Sequence, residues 1–368
     1  MRFKYTTGVF NFIFILFSVF LVFISCGNPM IADEYEKVNG MGDVGVFYIN
    51  SQEDVAKIQA HLDGTFIIGA ADTVEVSPIK GKFTGKIIGA GSGGVLLTSA
   101  PLFAETENAE IKNLRLSLQG SAEREAAYVG FITGKAVNTK FENVRVEGSI
   151  AAQGTAGLDV YIGAIAGSID EKSVITRCSS SAAVTVTKSA SLFCGGLVGF
   201  NGGVISYSYV HAGIAATSSG EANVGGLAGA VGPAAKIFDS YYTSKASFTA
   251  VSDDATLVKF GGIAGKNDGL VGYSYFYAAG ADPELTVVVG SGSQDGCLPG
   301  DKIASDFGTT INVARDNKEL LDKYGEALQN NYWYDVAGKP RLSNNPDPPI
   351  YINPDTGKSP ALGDEDWW

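Results

Sequence analysis

Apolar residues fall along most of this chain in runs of three to six, rich in Val, Ile, Tyr, Phe and Thr and separated by Gly, Asn and Ser. Such runs read as short β-strands joined by tight turns. The runs also recur. Tyr128-Val-Gly-Phe-Ile-Thr-Gly134, Tyr161-Ile-Gly-Ala-Ile-Ala-Gly167, Cys194-Gly-Gly-Leu-Val-Gly199, Val224-Gly-Gly-Leu-Ala-Gly229 and Phe260-Gly-Gly-Ile-Ala-Gly265 share one core, their last glycines 33, 32, 30 and 36 residues apart. Behind the last three cores stand Ile205-Ser-Tyr-Ser-Tyr-Val210, Ile237-Phe-Asp-Ser-Tyr-Tyr242 and Val271-Gly-Tyr-Ser-Tyr-Phe276; behind the first two, Phe141-Glu-Asn-Val144 and Val174-Ile-Thr-Arg-Cys178. A less regular copy lies upstream, Ala100-Pro-Leu-Phe103 with Ile111-Lys-Asn-Leu-Arg-Leu-Ser-Leu118. A unit of this size cannot bury its apolar side alone, so successive units must stack. A propeller blade needs about 40 residues, and the shorter spacing favours an all-β parallel solenoid.

Helical spacing appears at two places only. Ser51 caps a stripe of Val55, Ile58 and Leu62, with Asp54 three residues on; Asp316 caps a stripe of Leu320, Leu321, Tyr324 and Leu328, with Glu319 three on. Both read as short helices closing the open ends of a stack, where strand edges would otherwise be unpaired. Beyond Asn344, five prolines forbid regular structure as far as the Trp367-Trp368 end.

Composition sharpens this picture. Glycine supplies 47 of 368 residues, and charged residues only 18%. Low charge with ordinary apolar content excludes a disordered chain, and the missing Gly-X-Y period excludes collagen. Thirteen of the 47 glycines sit in the five cores, where they are expected to supply positive φ and close backbone approach.

The cores and the Ser-Tyr pairs behind them resemble the GLUG-motif repeat family, most clearly at 194–210, 224–242 and 260–277. With the Pro78–Gly85 leader and the Tyr332–Leu342 ending, the resemblance spans about residues 43–345. It implies an extracellular parallel β-helix or β-solenoid with short capping helices, and it assigns structural roles to Gly195, Gly196, Gly199, Gly225, Gly226, Gly229, Gly261, Gly262 and Gly265. It implies no reaction. Such repeats also accompany a metallopeptidase family, whose H-E-x-x-H motif this chain lacks.

The first 25 residues carry Arg2 and Lys4 followed by an apolar run, the pattern of a secretory signal. The run ends in Phe23-Ile-Ser-Cys-Gly27, which resembles a relaxed lipobox of bacterial lipoproteins and implies acylation of Cys26, hence a membrane attachment through lipid. Cleavage there removes two cations and leaves 25 Lys+Arg against 39 Asp+Glu, a charge of −14. That balance disfavours nucleic acid as a partner. The expected organisation is therefore signal peptide 1–25, tether 26–42 with an acidic Asp33-Glu34-Tyr35-Glu36 cluster, solenoid 43–300, C-terminal cap 301–345 and tail 346–368. The expected location is the outer membrane or cell surface.

Candidate chemistry is sparse. His61 and His211 stand alone, so no metal site and no cofactor are expected. Cys178, Cys194 and Cys297 are odd in number, leaving a Cys178–Cys194 bridge or buried free thiols as alternatives. Asp159, Glu221 and Asp253-Asp254 precede cores, yet no carboxylate recurs at a fixed position as paired acid–base work requires. Tyr207, Tyr209, Tyr241, Tyr242, Tyr273 and Tyr275 recur over three coils, and strand alternation would turn one of each pair outward as a ligand-facing strip. The expected function is non-enzymatic: binding or adhesion to a host protein or glycan. A polysaccharide lyase or hydrolase on a β-helix, and a structural spacer without a site, are the alternatives.

Overall fold

The computed structural model describes residues 45–292, apart from 70–72, 91–94, 98–100, 125–126, 154–157, 245–247, 273, 279–280 and 283–287, together with the strands Trp333–Val336 and Lys339–Leu342. The signal segment, Cys26, the tether, Tyr273, Cys297, the 316–329 stripe and the tail lie outside the described residues, as does the side chain of Tyr275. The chain divides into two units, Met1–Val46 and Phe47–Trp368. The second unit carries the repeats.

Its fold is a parallel β-solenoid with very little helix. From Tyr128 to Ala278 the coils cross three sheets: one of five strands from Tyr128–Val129 to Val258–Gly261, one of eight from Ile79–Phe83 to Val289–Gly292, and a long one of nineteen; the earlier coils use only the last two. The repeat read from the glycines is the coil itself. Thr133, Ala166, Val198, Ala228, Ala264 and Val289 stand side by side across successive coils. The Trp333–Val336 and Lys339–Leu342 strands pair antiparallel, with Trp333 opposite Leu342.

The core glycines work by contact rather than by torsion. None of the nine has a positive φ; the left-handed corners belong to Asn108, Asn113, Asn138, Asn143, Arg177, Tyr207 and Asp239. This corrects the expectation that glycine turns the corners. Asn, and to a lesser degree Asp, tolerates that region because its short side chain hydrogen-bonds locally. Here the amides also bond between coils, Asn138 Nδ2 donating to Asn108 at 2.6 Å and Asn143 Nδ2 to Asn113 at 3.0 Å.

Close approach shows best at Gly262, where an added Cβ would lie 2.0 Å from Cγ of Phe276. At Gly226 it would lie 2.2 Å from the Gly262 carbonyl oxygen and 2.3 Å from Tyr242, and at Gly196 2.3 Å from the Gly226 carbonyl oxygen and 2.7 Å from Val210. Val146, Ser180, Val210, Tyr242 and Phe276 form one inward row of the long sheet. As that row grows into aromatics, the facing position shrinks to glycine. The two earlier cores carry Phe131 and Ala164 there instead, opposite Val146 and Ser180. Between the Phe131–Val146 coil and the Gly226–Tyr242 and Gly262–Phe276 coils bulk passes from one wall to the other, whereas Ala164–Ser180 is small on both walls. Gly195, Gly225 and Gly261 lie against the backbone of the next coil, while Gly199, Gly229 and Gly265 lie against strands of the five-stranded sheet.

Ser208 and Ser240, the serines of the first two Ser-Tyr pairs, follow the left-handed corners at Tyr207 and Asp239 and serve the backbone. The N–H of Cys178 donates to Ser208 Oγ and that of Ser208 to Ser240 Oγ, both at 3.1 Å. Cys178 occupies the same place one coil earlier, its sulfur accepting from the N–H of Val144 at 3.4 Å. Buried backbone donors need such partners wherever a corner interrupts the ladder.

At the first coil the expected cap is present as a 3-10 turn, Gln52–Val55, running into the helix Ala56–Ala60, with Ser51 and Asp54 in a capping box. Ile58 is buried, and Phe47, Val55 and Leu62 pack against the core. Two glutamine amides complete free backbone: Gln52 bonds both N–H and C=O of Glu75, and Gln59 both of Lys80, at 2.7 to 3.0 Å. Each amide imitates a strand neighbour, which shields an exposed edge.

Candidate functional site

Of the tyrosines expected to face a ligand, Tyr207, Tyr209, Tyr241 and Tyr242 are all buried, at 5, 6, 0 and 0% exposure. The outward strip is therefore not made by these four. The reason is the corner: Tyr207 occupies the left-handed position, so simple alternation fails, and its counterpart one coil on is Asp239 rather than a tyrosine. Tyr209 stacks on Tyr241 at 5.0 Å, and the Tyr242 hydroxyl donates to the carbonyl of Ala212 at 3.0 Å. Tyr275 aligns with Tyr241 along the backbone.

A different aromatic row reaches solvent. On the five-stranded sheet Tyr128, Tyr161, Phe193, Asn223 and Lys259 are side by side in register. The first three are half-buried. Tyr128 stacks on Tyr161 at 4.8 Å and 5°, and Tyr161 on Phe193 at 4.6 Å and 2°. Parallel strands 4.7–4.9 Å apart impose that spacing. Both faces of Tyr161 and one face each of Tyr128 and Phe193 are taken up by this stacking, which leaves mainly edges and phenol groups for a partner. Such an array suits contact with a protein surface better than a sugar ring laid flat on an aromatic face. The Lys135 ammonium stands 4.0 Å from the Tyr128 ring centre, at cation–π distance. Beside the row lie exposed Asp159 and Leu158, the latter 53% exposed. Burial, then Tyr128 and Asp159, raises the Tyr161 hydroxyl above its ordinary pKa. The signal was present in the sequence, since Tyr128, Tyr161 and Phe193 each stand two residues before the first glycine of a core.

The carboxylates do not assemble into an acid–base pair. Glu221 pairs with Lys259, which holds it below its ordinary pKa despite partial burial. Asp254 accepts from the N–H of Thr256 at 2.9 Å as the cap of a 3-10 turn, and Asp253 is exposed. Sequence reading overlooked Asp239, whose Oδ2 is buried without a hydrogen-bond partner; desolvation pushes this carboxyl up to about 7. His61 stacks on Phe47 at 4.4 Å, and His211 Nδ1 lies 2.7 Å from Thr243 Oγ1. Among the described residues no three metal-ligating side chains converge. Cys178 and Cys194 are free and buried, resolving their alternatives against a bridge. Desolvation pushes the Cys178 thiol up to about 12 and the Cys194 thiol higher still, so neither is a nucleophile.

Comparison with known proteins adds what the side chains do not supply. Residues 38–148 match the family described as M26 IgA1-specific metallo-endopeptidase N-terminal region. An immunoglobulin A1 protease of Streptococcus pneumoniae is 31% identical over 224 residues, covering 57% of this chain and 11% of the relative. Another, from S. pneumoniae strain ATCC BAA-255 / R6, is 28% identical over 296 residues, covering 73% of this chain and 14% of the relative. The chain thus spans roughly a tenth to a seventh of the length of these relatives. A crystal structure of a "putative immunoglobulin A1 protease" from Bacteroides ovatus superposes with a TM-score of 0.47 at 15% identity, over 83% of this chain and 94% of that one.

The family match and the two pneumococcal relatives correct the non-enzymatic reading, because they point to a protease. The physical reason for the error is plain. Searching for H-E-x-x-H tests for one catalytic helix, whereas the likeness lies over an N-terminal region and a small share of long relatives.

Proposed function

We propose that this solenoid is the substrate-holding part of an immunoglobulin A1 protease-type endopeptidase, and that the Tyr128–Tyr161–Phe193 ladder is the face that grips the substrate protein. The observation that carries the reading is the match of residues 38–148 to the N-terminal region of that endopeptidase family, a stretch that includes Tyr128. The ladder supports it physically: a rigid, half-exposed aromatic stack with exposed Leu158 beside it has the composition of an interface centre. Among the alternatives read from sequence, hydrolysis is the nearer in reaction type, with a peptide bond in place of a glycosidic one. We also propose that the chain is exported and held to a membrane by lipid on Cys26, where an extracellular immunoglobulin is within reach.

The test is to incubate the full-length chain with immunoglobulin A1 and with serum albumin, following binding by surface plasmon resonance and chain integrity by gel. Saturable binding to immunoglobulin A1 alone is the expected result. New immunoglobulin fragments in the same tubes would assign the cleavage step to this chain as well. Equal response to both proteins, or none to either, overturns the reading. Mass spectrometry of the membrane-extracted protein checks the anchor, which requires an acylated Cys26 as first residue.

A further inference from the structure

The outward row of the five-stranded sheet does not stop at its aromatic rings. From Phe193 it continues into Asn223 and Lys259, one residue per coil. At the opposite end the Tyr128 ring is met by the Lys135 ammonium at 4.0 Å. Asn223 is fully buried, although Phe193 and Lys259 on either side of it reach solvent. Its Nδ2 donates to the carbonyl of Leu192 at 3.4 Å, while its Oδ1 is buried and has no donor among the described residues. Buried side-chain oxygens are mostly paired, because an unpaired one gives up its hydration without return. Glu221 stands two residues before Asn223, which puts both on one face of the extended chain, about 6–7 Å apart along it. The Lys259 ammonium reaches back from the next coil to pair with Glu221. Phe193 and the Lys259 arm therefore wall Asn223 on its two sides, and the arm is the wall that can move. Both members of the ion pair are about a third exposed, and such a pair contributes little, so the arm leaves at small cost.

We propose that Asn223 Oδ1 and the Glu221 carboxylate form a receptor for an arginine side chain of the partner protein, which displaces the Lys259 arm into solvent. Such a site adds a chemistry to the ladder and rests on that reading only for the presence of a protein partner. Exchanging one cation for another on Glu221 leaves the local charge balance as it was. The gain is the hydrogen bond to Asn223 Oδ1, which Lys259 does not make. A guanidinium carries five N–H donors in a planar fork, enough to meet both oxygens at once, whereas an ammonium is a compact point charge. Half-buried Phe193 offers an apolar wall to the methylene stem. The net charge of −12 favours the approach of a basic group.

The experiment follows the fluorescence anisotropy of a labelled Gly-Leu-Arg-Leu-Gly peptide, and of the same peptide with citrulline or lysine in place of arginine, against the full-length chain at low salt. Citrulline keeps the shape of arginine and removes its charge. We expect the arginine peptide to bind about tenfold tighter than the citrulline peptide, with the lysine peptide between them. Lys259→Met removes the competing arm and should tighten arginine binding about threefold; a merely structural ion pair would leave peptide affinity unmoved. Asn223→Ala and Glu221→Gln should each bring the arginine and citrulline peptides to equal affinity. Glu221→Gln alters an exposed pair, so it carries the comparison if Asn223→Ala does not fold. Equal binding of the arginine and citrulline peptides by the wild-type chain overturns the proposal, as does arginine binding that weakens or stays unchanged in Lys259→Met. Immunoglobulin A1 is absent from these samples, so the arginine site and the ladder's grip on that protein can fail separately.

Discussion

The early coils, 128–180, and the late coils, 194–276, build the same cross-section but distribute side-chain volume differently across it. In the early coils the turn between the five- and eight-stranded sheets carries Phe131 or Ala164, and the facing row of the long sheet carries Val146 or Ser180. In the late coils the turn is Gly196, Gly226 or Gly262, and the facing row carries Val210, Tyr242 or Phe276. The Phe131–Val146 coil and the Gly226–Tyr242 and Gly262–Phe276 coils put their bulk on opposite walls, while Ala164–Ser180 and Gly196–Val210, smaller in sum, lie between them.

Exchanging residues between the two regions breaks this symmetry. Phe131→Gly imports the late turn into an early coil, where Val146 cannot fill the space. Loss of a fully buried phenylalanine costs about 4 kcal/mol, read as a lowered urea midpoint with unchanged slope. A loss below about 1 kcal/mol would mean that the early coil collapses onto the gap and the volume argument fails. The reverse exchange is Gly262→Ala, which pushes a methyl into Phe276 and costs about 3 kcal/mol. Adding Phe276→Ser recreates the Ala164–Ser180 pair and should recover part of that loss. Additive effects of the two changes would contradict the pairing.

The corners sharpen the comparison further. The corner row begins with Asn113 and Asn143, joined by a hydrogen bond between their side-chain amides, and continues through Arg177 to Tyr207 and Asp239 in the late coils. Arg177 has found Glu142; Asp239 Oδ2 has found nothing. Because burial lifts the Asp239 carboxyl from 3.8 to about 7 in the fold, the folded state binds the proton more tightly than the unfolded chain does. Stability from this group is therefore whole below pH 3.8 and is lost as pH rises through 7. Asp239→Asn keeps a residue suited to positive φ and removes the charge. It should raise stability at pH 8 by about 2 kcal/mol and leave it nearly unchanged at pH 4. A gain of equal size at both pH values would trace the effect to something other than ionisation.

The coil length, the parallel stacking and the N-terminal cap were legible from periodicity, because each is set by local spacing: the last glycines mark the coil, and Ser51 with Asp54 marks the helix start. What escaped were relations across the core. Facing positions such as Gly262 and Phe276 are joined only by the third dimension, so the glycines were credited with turning corners that Asn143 and Tyr207 turn. The outward row escaped for a related reason. Tyr-rich pairs at 207–209 and 241–242 drew attention by density, while the row that reaches solvent has one aromatic per coil, at Tyr128, Tyr161 and Phe193. The likeness to proteases is legible only through relatives, since no metal-ligating set converges among the described residues.

The proposed grip of the Tyr128–Tyr161–Phe193 ladder on a substrate protein is open to a single titration. Immunoglobulin A1 is titrated against the full-length chain and against its Tyr161→Ser/Phe193→Ser variant, with thermal unfolding measured on the same samples. The ladder rings are only half-buried, so the variant should unfold within a few degrees of the wild type. Its affinity should fall at least tenfold, about 1.4 kcal/mol, since interface aromatics carry a disproportionate share of binding energy. Unchanged affinity in a folded variant would contradict the account.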